Sequence, residues 1–232
     1  EAGRDRTQFN GVQIMSSDPW HTAADATIQN LRIVGMDSGD VLVPGATYFT
    51  ASPFQLRNAD GTVGREMVSV DIPLDYDVSF IVNPAGAVGG WGNIIHITAD
   101  GGNCCNYGQR IPAVWFYPGN LRLHIRDGST ANGNDGCDPA DQLPVGEDTT
   151  VLLQIRANVL IVSYNGEVKC EGPRGSREPF ANARVFMPDP WHDAADATVD
   201  DAYLLPVTTP GCNQQGACNY DIGAAVDDGS CE

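Results

Sequence analysis

From Glu66 to Leu204 the chain is a succession of short apolar and β-branched runs, each closed by Gly, Pro, Asn or Asp. That punctuation predicts strands over 66–72, 77–82, 92–98, 113–117, 121–126, 150–156, 160–164, 184–187 and 198–204, and no segment carries a helical period. Short strands at regular spacing with turn signals between them fold as an antiparallel sandwich or barrel. The alternation is clearest in Leu121-Arg122-Leu123-His124-Ile125-Arg126, where one face is aliphatic and the other basic, so His124 is expected to face solvent or a groove. Tyr164-Asn165-Gly166-Glu167 reads as a type I′ hairpin, because Asn-Gly supplies positive φ at both central positions.

Composition supports the same class. Aspartate outnumbers glutamate 23 to 7, and there are 26 Gly and 15 Pro. Asp favours turns and caps where Glu favours helix interiors, so the bias points to a turn-rich β protein. With 30 acidic against 13 basic residues the net charge is −17, which argues against nucleic acid and against docking on anionic lipid. The sequence has no long apolar run of membrane-spanning length, so no membrane insertion is expected. Opening at Glu1 without Met or an apolar signal region, the chain reads as a processed polypeptide.

Seven cysteines stand at 104, 105, 137, 170, 212, 218 and 231, without the C-x-x-C spacing of a zinc site. They read as a disulfide framework in an oxidising, secreted or cell-surface setting. A vicinal bridge is strained, so Cys104 and Cys105 are each expected to reach a different partner, with Cys137 and Cys170 available. Cys212, Cys218 and Cys231 cannot all pair among themselves, which leaves one free thiol or one bond to another polypeptide.

Residues 9–28, FNGVQIMSSDPWHTAADATI, align without a gap to residues 180–199, FANARVFMPDPWHDAADATV. A segment this short has no core of its own. The chain therefore divides into an N-terminal strand segment (1–33) that duplicates 180–199, a connector (34–65) with short strands such as 40–43 and 46–50, a sandwich (66–206) and a Cys-rich tail (207–232). The apolar residues Phe9, Val12, Ile14, Trp20 and Ile28 can be covered only by a sandwich, either their own or a neighbour's. In the second case exposed edges would take the segment head-to-tail, and the protein would self-associate into a fibre.

The runs DYDVSFIVNP, WGNIIHIT, IPAVWFYPGNLRLHIRDG and VLIVSYNGEV, spanning about 64–206, resemble a concanavalin A-like, laminin-G-type jelly roll. The tail GCNQQGACNYDIGAAVDDGSC is similar to cysteine-rich repeats of secreted surface proteins. The resemblance implies an extracellular, structural or adhesive role, or else a calcium-assisted glycan-binding module acting as a monomer. It also brings Ca²⁺ as a candidate cofactor, with Asp127, Asn132, Asn134, Asp135 and Asp138 as one oxygen-ligand cluster and Asp221, Asp227 and Asp228 as another.

Sugar recognition needs an exposed aromatic plus polar groups that fix hydroxyls, and Trp91, Asn93, Tyr107 and Arg110 are the candidates, with Trp115 and Tyr117 near them. Trp115, between Val114 and Phe116, reads first as core, and Trp20 and Trp191 as anchors of the Asp-Pro-Trp-His turns. Catalysis finds no motif: there is no E-x-D-x-E stretch, and His21, His96, His124 and His192 lie in no nucleophile signature. No N-x-Ser/Thr sequon occurs, while Thr208 and Thr209 are candidate O-glycan positions of a glycoprotein linker.

Overall fold

The computed structural model describes residues 43, 45–50, 53–58, 63–156, 159–173, 175–207, 209–211, 217–218, 224–227 and 230–232. The repeat over 9–28, with Phe9, Val12, Ile14, Trp20 and Ile28, lies outside them, as do Thr208, Asp221, Asp228 and most of the strand expected over 40–43.

The strands, in chain order, are β1 Thr47–Tyr48, β2 Phe54–Gln55, β3 Glu66–Ile72, β4 Tyr76–Gly86, β5 Gly92–Thr98, β6 Ala113–Phe116, β7 Leu123–Arg126, β8 Gly136–Cys137, β9 Thr149–Arg156, β10 Val159–Tyr164, β11 Glu167–Pro173, β12 Phe180–Phe186, β13 Asp193–Ala194, β14 Asp196–Pro206, β15 Thr209–Gly211 and β16 Ala224–Asp227. The first sheet runs β1-β14-β4-β9-β10-β11, with β2 also on β14; the second runs β3-β12-β5-β6-β7-β8, with β13 parallel to β5. Apart from that short parallel pair, neighbours within both sheets are antiparallel, and the chain is an all-β jelly-roll sandwich. Strands β15 and β16 form a separate parallel pair in the tail.

Alternation puts Tyr76, Val78, Phe80 and Val82 of β4 and Val151, Leu153 and Ile155 of β9 against Val114, Phe116, Leu123 and Ile125 of the other sheet's strands, and all belong to one buried core. Where the sequence breaks its period of two, a bulge restores it. In β14 the core residues are Ala197 and Val199, then Ala202 and Leu204; the register shifts between Asp200 and Tyr203, and Asp201 takes φ 46°. The hairpin between β10 and β11 turns at Asn165 (φ 49°) and Gly166 (φ 83°), as its Asn-Gly predicts.

The last strands of the sandwich sit inside both sheets, each one place in from an edge. Strand β12 lies between β3 and β5, and β14 between β4 and the short strands β1 and β2, so the connector before residue 66 contributes strands to the sandwich. Residues 180–199 are thus a crossover from one sheet to the other, turning at Asp189-Pro190-Trp191-His192. Gly64 closes on this turn: its N–H reaches the carbonyls of Pro188 and Asp189, and at φ +76° a Cβ would come within 2.8 Å of the Pro190 side chain.

One cysteine expectation needs correction: Cys104 and Cys105 bond to each other rather than to separate partners. In the tail, Cys218 is the free, exposed thiol that the odd count allowed. The pairing follows placement: Cys137 in β8 and Cys170 in β11 face each other across the edges of the two sheets, Cα atoms 6.2 Å apart, and bond there, which leaves neither for the vicinal pair. Cys231 is disulfide-bonded.

Candidate functional site

The outer face of the second sheet carries an aromatic and basic array. Register explains it: in β6 and β7, Val114, Phe116, Leu123 and Ile125 turn inward, so Trp115 and its partner His124 turn outward with Arg126. Trp115 is buried, as its core reading expects, but on the outer side of the sheet against Arg110 and His192 rather than in the inter-sheet cluster. The Arg110 guanidinium lies 4.8 Å from its ring centroid. Around the same ring stand His96, His124 and His192, with centroids 5.5, 5.7 and 5.4 Å away.

One end of this face is partly open. Trp91, Tyr117 and His124, all half-buried, form a triangle with centroid distances of 4.9, 4.7 and 5.1 Å. The Arg122 guanidinium stands over Tyr117 at 5.3 Å. Asp138 anchors the group: it accepts two bonds from Arg126 (2.8 and 3.0 Å) and one from the Tyr117 hydroxyl (2.9 Å), and His124 Nδ1 lies 3.0 Å away. Burial opposes the charge on Asp138, but the bonds from His124 and Arg126 prevail and hold its carboxyl well below the usual range. Burial lowers His124, so its ring is favoured neutral, and burial together with the bond to Asp138 raises Tyr117, which stays a donor.

The other end is closed. Asp189 is fully buried; its Oδ1 accepts the backbone N–H groups of Trp191 and His192, and its Oδ2 meets His96 Nδ1 at 2.7 Å and His192 Nδ1 at 2.9 Å. His96 Nε2 reaches the Gln109 carbonyl at 2.6 Å. Here too burial is outweighed, and the hydrogen bonds from His192 and His96 depress the Asp189 carboxyl strongly. Trp191 packs on His96 and Phe186 and remains 38% exposed.

Against this geometry the four sugar-contact candidates separate. Trp91 belongs to the open triangle. Arg110 is buried over Trp115 and donates to the Asn103 carbonyl and Asn134. Asn93 is fully buried and committed to scaffold: its Oδ1 accepts the Asp189 N–H, and its amide donates to the carbonyls of Ile95 and Val114. Tyr107 stacks on Phe180 at 4.9 Å, and its hydroxyl exchanges bonds with the backbone of Glu178.

The calcium candidates over 127–138 each have partners within the protein. Asp127 is buried with the Tyr76 hydroxyl and the Arg177 guanidinium, Asn132 accepts the Asn134 N–H, Asn134 accepts from Arg110, Asp135 accepts from Ser129, and Asp138 faces the outer array. Among the described residues, the group of His, Cys, Asp and Glu side chains able to surround a metal is His96, Asp189 and His192. Sequence reasoning had no route to that trio, since His96 and Asp189 are 93 positions apart. The open triangle was partly legible, because the period of two in 121–126 already turned His124 and Arg126 outward.

The sequence matches no family model and no curated protein. Among solved structures it is similar to the SAP-like pentraxin of Limulus polyphemus (11% identity over 67% of this chain and 77% of that one, TM-score 0.48). It is similar also to the LG1-3 region of the laminin alpha2 chain (10%, covering 70% and 27%, TM-score 0.45). A third is domain 4 of AbnA, an extracellular GH43 arabinanase of Geobacillus stearothermophilus, in complex with arabinotriose (17%, covering 66% and 79%, TM-score 0.40).

Proposed function

We propose that this protein is a secreted, adhesive glycan-binding module that binds sugar without turning it over. The observation that carries the reading is the half-buried Trp91–Tyr117–His124 triangle beside the Asp138–Arg126 pair. Aromatic rings with one accessible face stack on the apolar face of a pyranose, and adjacent charged side chains orient its hydroxyls. The basic residues matter because they gather on one face of a chain whose net charge is −17. Hydrolysis with paired carboxylates needs one held protonated as general acid. Asp138 and Asp189 are both depressed, which suits binding.

The test is a glycan array probed with the intact protein and with Trp91→Ala, with thermal melting as a check on fold. Binding to at least one glycan class, reduced tenfold or more in the variant with the melting temperature kept within a few degrees, supports the reading. Equal binding by both proteins, or binding by neither, overturns it.

A second reading, the protomer of an extracellular filament, draws support from the second copy of the repeat. In 180–199 the inward positions Val185, Ala195, Ala197 and Val199 are core, and their counterparts in 9–28 are Ile14, Ala24, Ala26 and Ile28. A segment with this pattern suits the central crossover position of a neighbouring sandwich. Deleting residues 1–30 is expected to leave a folded protein that no longer polymerises; a truncated protein that still forms fibres removes this reading.

A further inference from the structure

The closed end of the outer face poses a proton-counting problem. His96 Nε2 lies 2.6 Å from the Gln109 carbonyl, which can only accept, so that nitrogen carries hydrogen. In the neutral ring Nδ1 is then a lone pair, yet it faces Asp189 Oδ2 at 2.7 Å. A second ring nitrogen, His192 Nδ1, converges on the same oxygen at 2.9 Å. His192 Nδ1 can donate to that oxygen in one tautomer, but the His96 lone pair held against it in a buried site needs a positive centre, a proton or a metal ion, between them.

We infer that His96 Nδ1, an Asp189 carboxylate oxygen and His192 Nδ1 are three ligands of a divalent d-block cation, Zn²⁺ first among them, which fastens the 180–199 crossover to β5. The candidate ligand atoms all lie within 4.8 Å of one another. Two imidazoles with one carboxylate are a common nitrogen-oxygen set for zinc and leave a fourth position for water. The surroundings fit the role. A metal-bound histidine usually donates its other N–H to a carbonyl, as His96 does to Gln109, and Asp189 is oriented by the two backbone N–H groups on Oδ1. Access is on the turn side, where the His192 side chain is 17% exposed. With Zn–N and Zn–O bonds of about 2.0–2.1 Å, tetrahedral ligand atoms sit roughly 3.3 Å apart, so the contacts must widen by about half an ångström. His192, on a part-exposed turn, can supply the movement on its own side, while the buried His96–Asp189 contact must open by a small shift of those two side chains within the core.

The first copy of the repeat holds Asp18 and His21 in the same turn sequence, so the experiment is run in a His21→Ala background. Protein stripped with chelator is dialysed against Zn²⁺ in buffer holding excess Ca²⁺, which saturates oxygen-only sites. Bound zinc is then counted for this protein, for one further carrying His192→Ala, and for one carrying His96→Gln. The expected result is one more equivalent of zinc in the parent than in either variant, at least tenfold tighter, with a zinc-dependent rise of several degrees in melting temperature confined to the parent. Co²⁺ should give visible ligand-field absorption in the parent alone. Equal zinc in the parent and His192→Ala, or no change in melting temperature on adding zinc, overturns the inference and leaves the trio bridged by protons. Neither result bears on the Trp91 face, whose glycan readout is independent.

Discussion

Asp138 and Asp189 are the same residue type on the same sheet face, each meeting histidine, and each held ionised against its burial. They differ in who supplies the hydrogen bonds. At Asp189 two donors are backbone N–H groups of its own turn, and the histidines are packed beneath tryptophan. At Asp138 the short bonds come from the side chains of Arg126 and Tyr117 with His124, its one backbone donor, the Ile125 N–H, is long at 3.4 Å, and the carboxylate is 26% exposed. Backbone partners cannot turn away without undoing the crossover, whereas side-chain partners can exchange Asp138 for a ligand hydroxyl. One carboxylate therefore organises the fold, and the other organises a surface.

The largest expected break in this comparison comes from truncation. Asp189→Ala strands the buried His96, the part-buried His192 and two backbone donors and is expected to lower stability by about 3–5 kcal/mol. Asp138→Ala opens a site that is itself a quarter exposed, beside a half-buried Tyr117 and a largely buried Arg126, and is expected to cost about 1–2 kcal/mol. Urea unfolding of both variants decides the matter, and equal losses would erase the distinction. The Trp91→Ala array experiment then asks whether the open end has the ligand role that its cheaper stability suggests.

The smallest effect is in pH. Because His124 is lowered below 6.5 in the folded state, the unfolded chain takes up that proton first as pH falls. Its stability contribution is complete above 6.5 and is lost as pH drops toward the folded value. Asp138 and Asp189, both depressed from 3.8, keep their contributions above about pH 4 and lose them only as pH falls further. Unfolding free energies from urea titrations between pH 7.5 and 5.5 are thus expected to fall more for the intact protein than for His124→Gln, by under about 1 kcal/mol. Parallel curves would show that His124 is not uncoupled from water as its burial implies.

Much of the sandwich was legible locally. The strands at 66–72 and 92–98 coincide with β3 and β5, because side-chain alternation and turn residues are properties of neighbours in sequence. The Asn165-Gly166 hairpin and the outward His124 were readable for the same reason. Other features were not. Two-residue strands such as β1, β8 and β13 hold no period to detect, and β12 begins earlier than its apolar run because a bulge at Asn182 interrupts it.

What the sequence by itself determined is the class of fold, the inward and outward faces of the longer strands, and the duplication of the Asp-Pro-Trp-His sequence. Only the tertiary structure decided that the second turn is a buried polar lock, that Trp115 lies on the outer face, and that Cys104 pairs with Cys105 while Cys137 pairs with Cys170. The physical reason is range. Alternation and turn chemistry act between adjacent residues, while the partners of Asp189, Trp115 and Cys137 come from strands dozens of positions away, and nothing local to either residue encodes which strand will lie beside it.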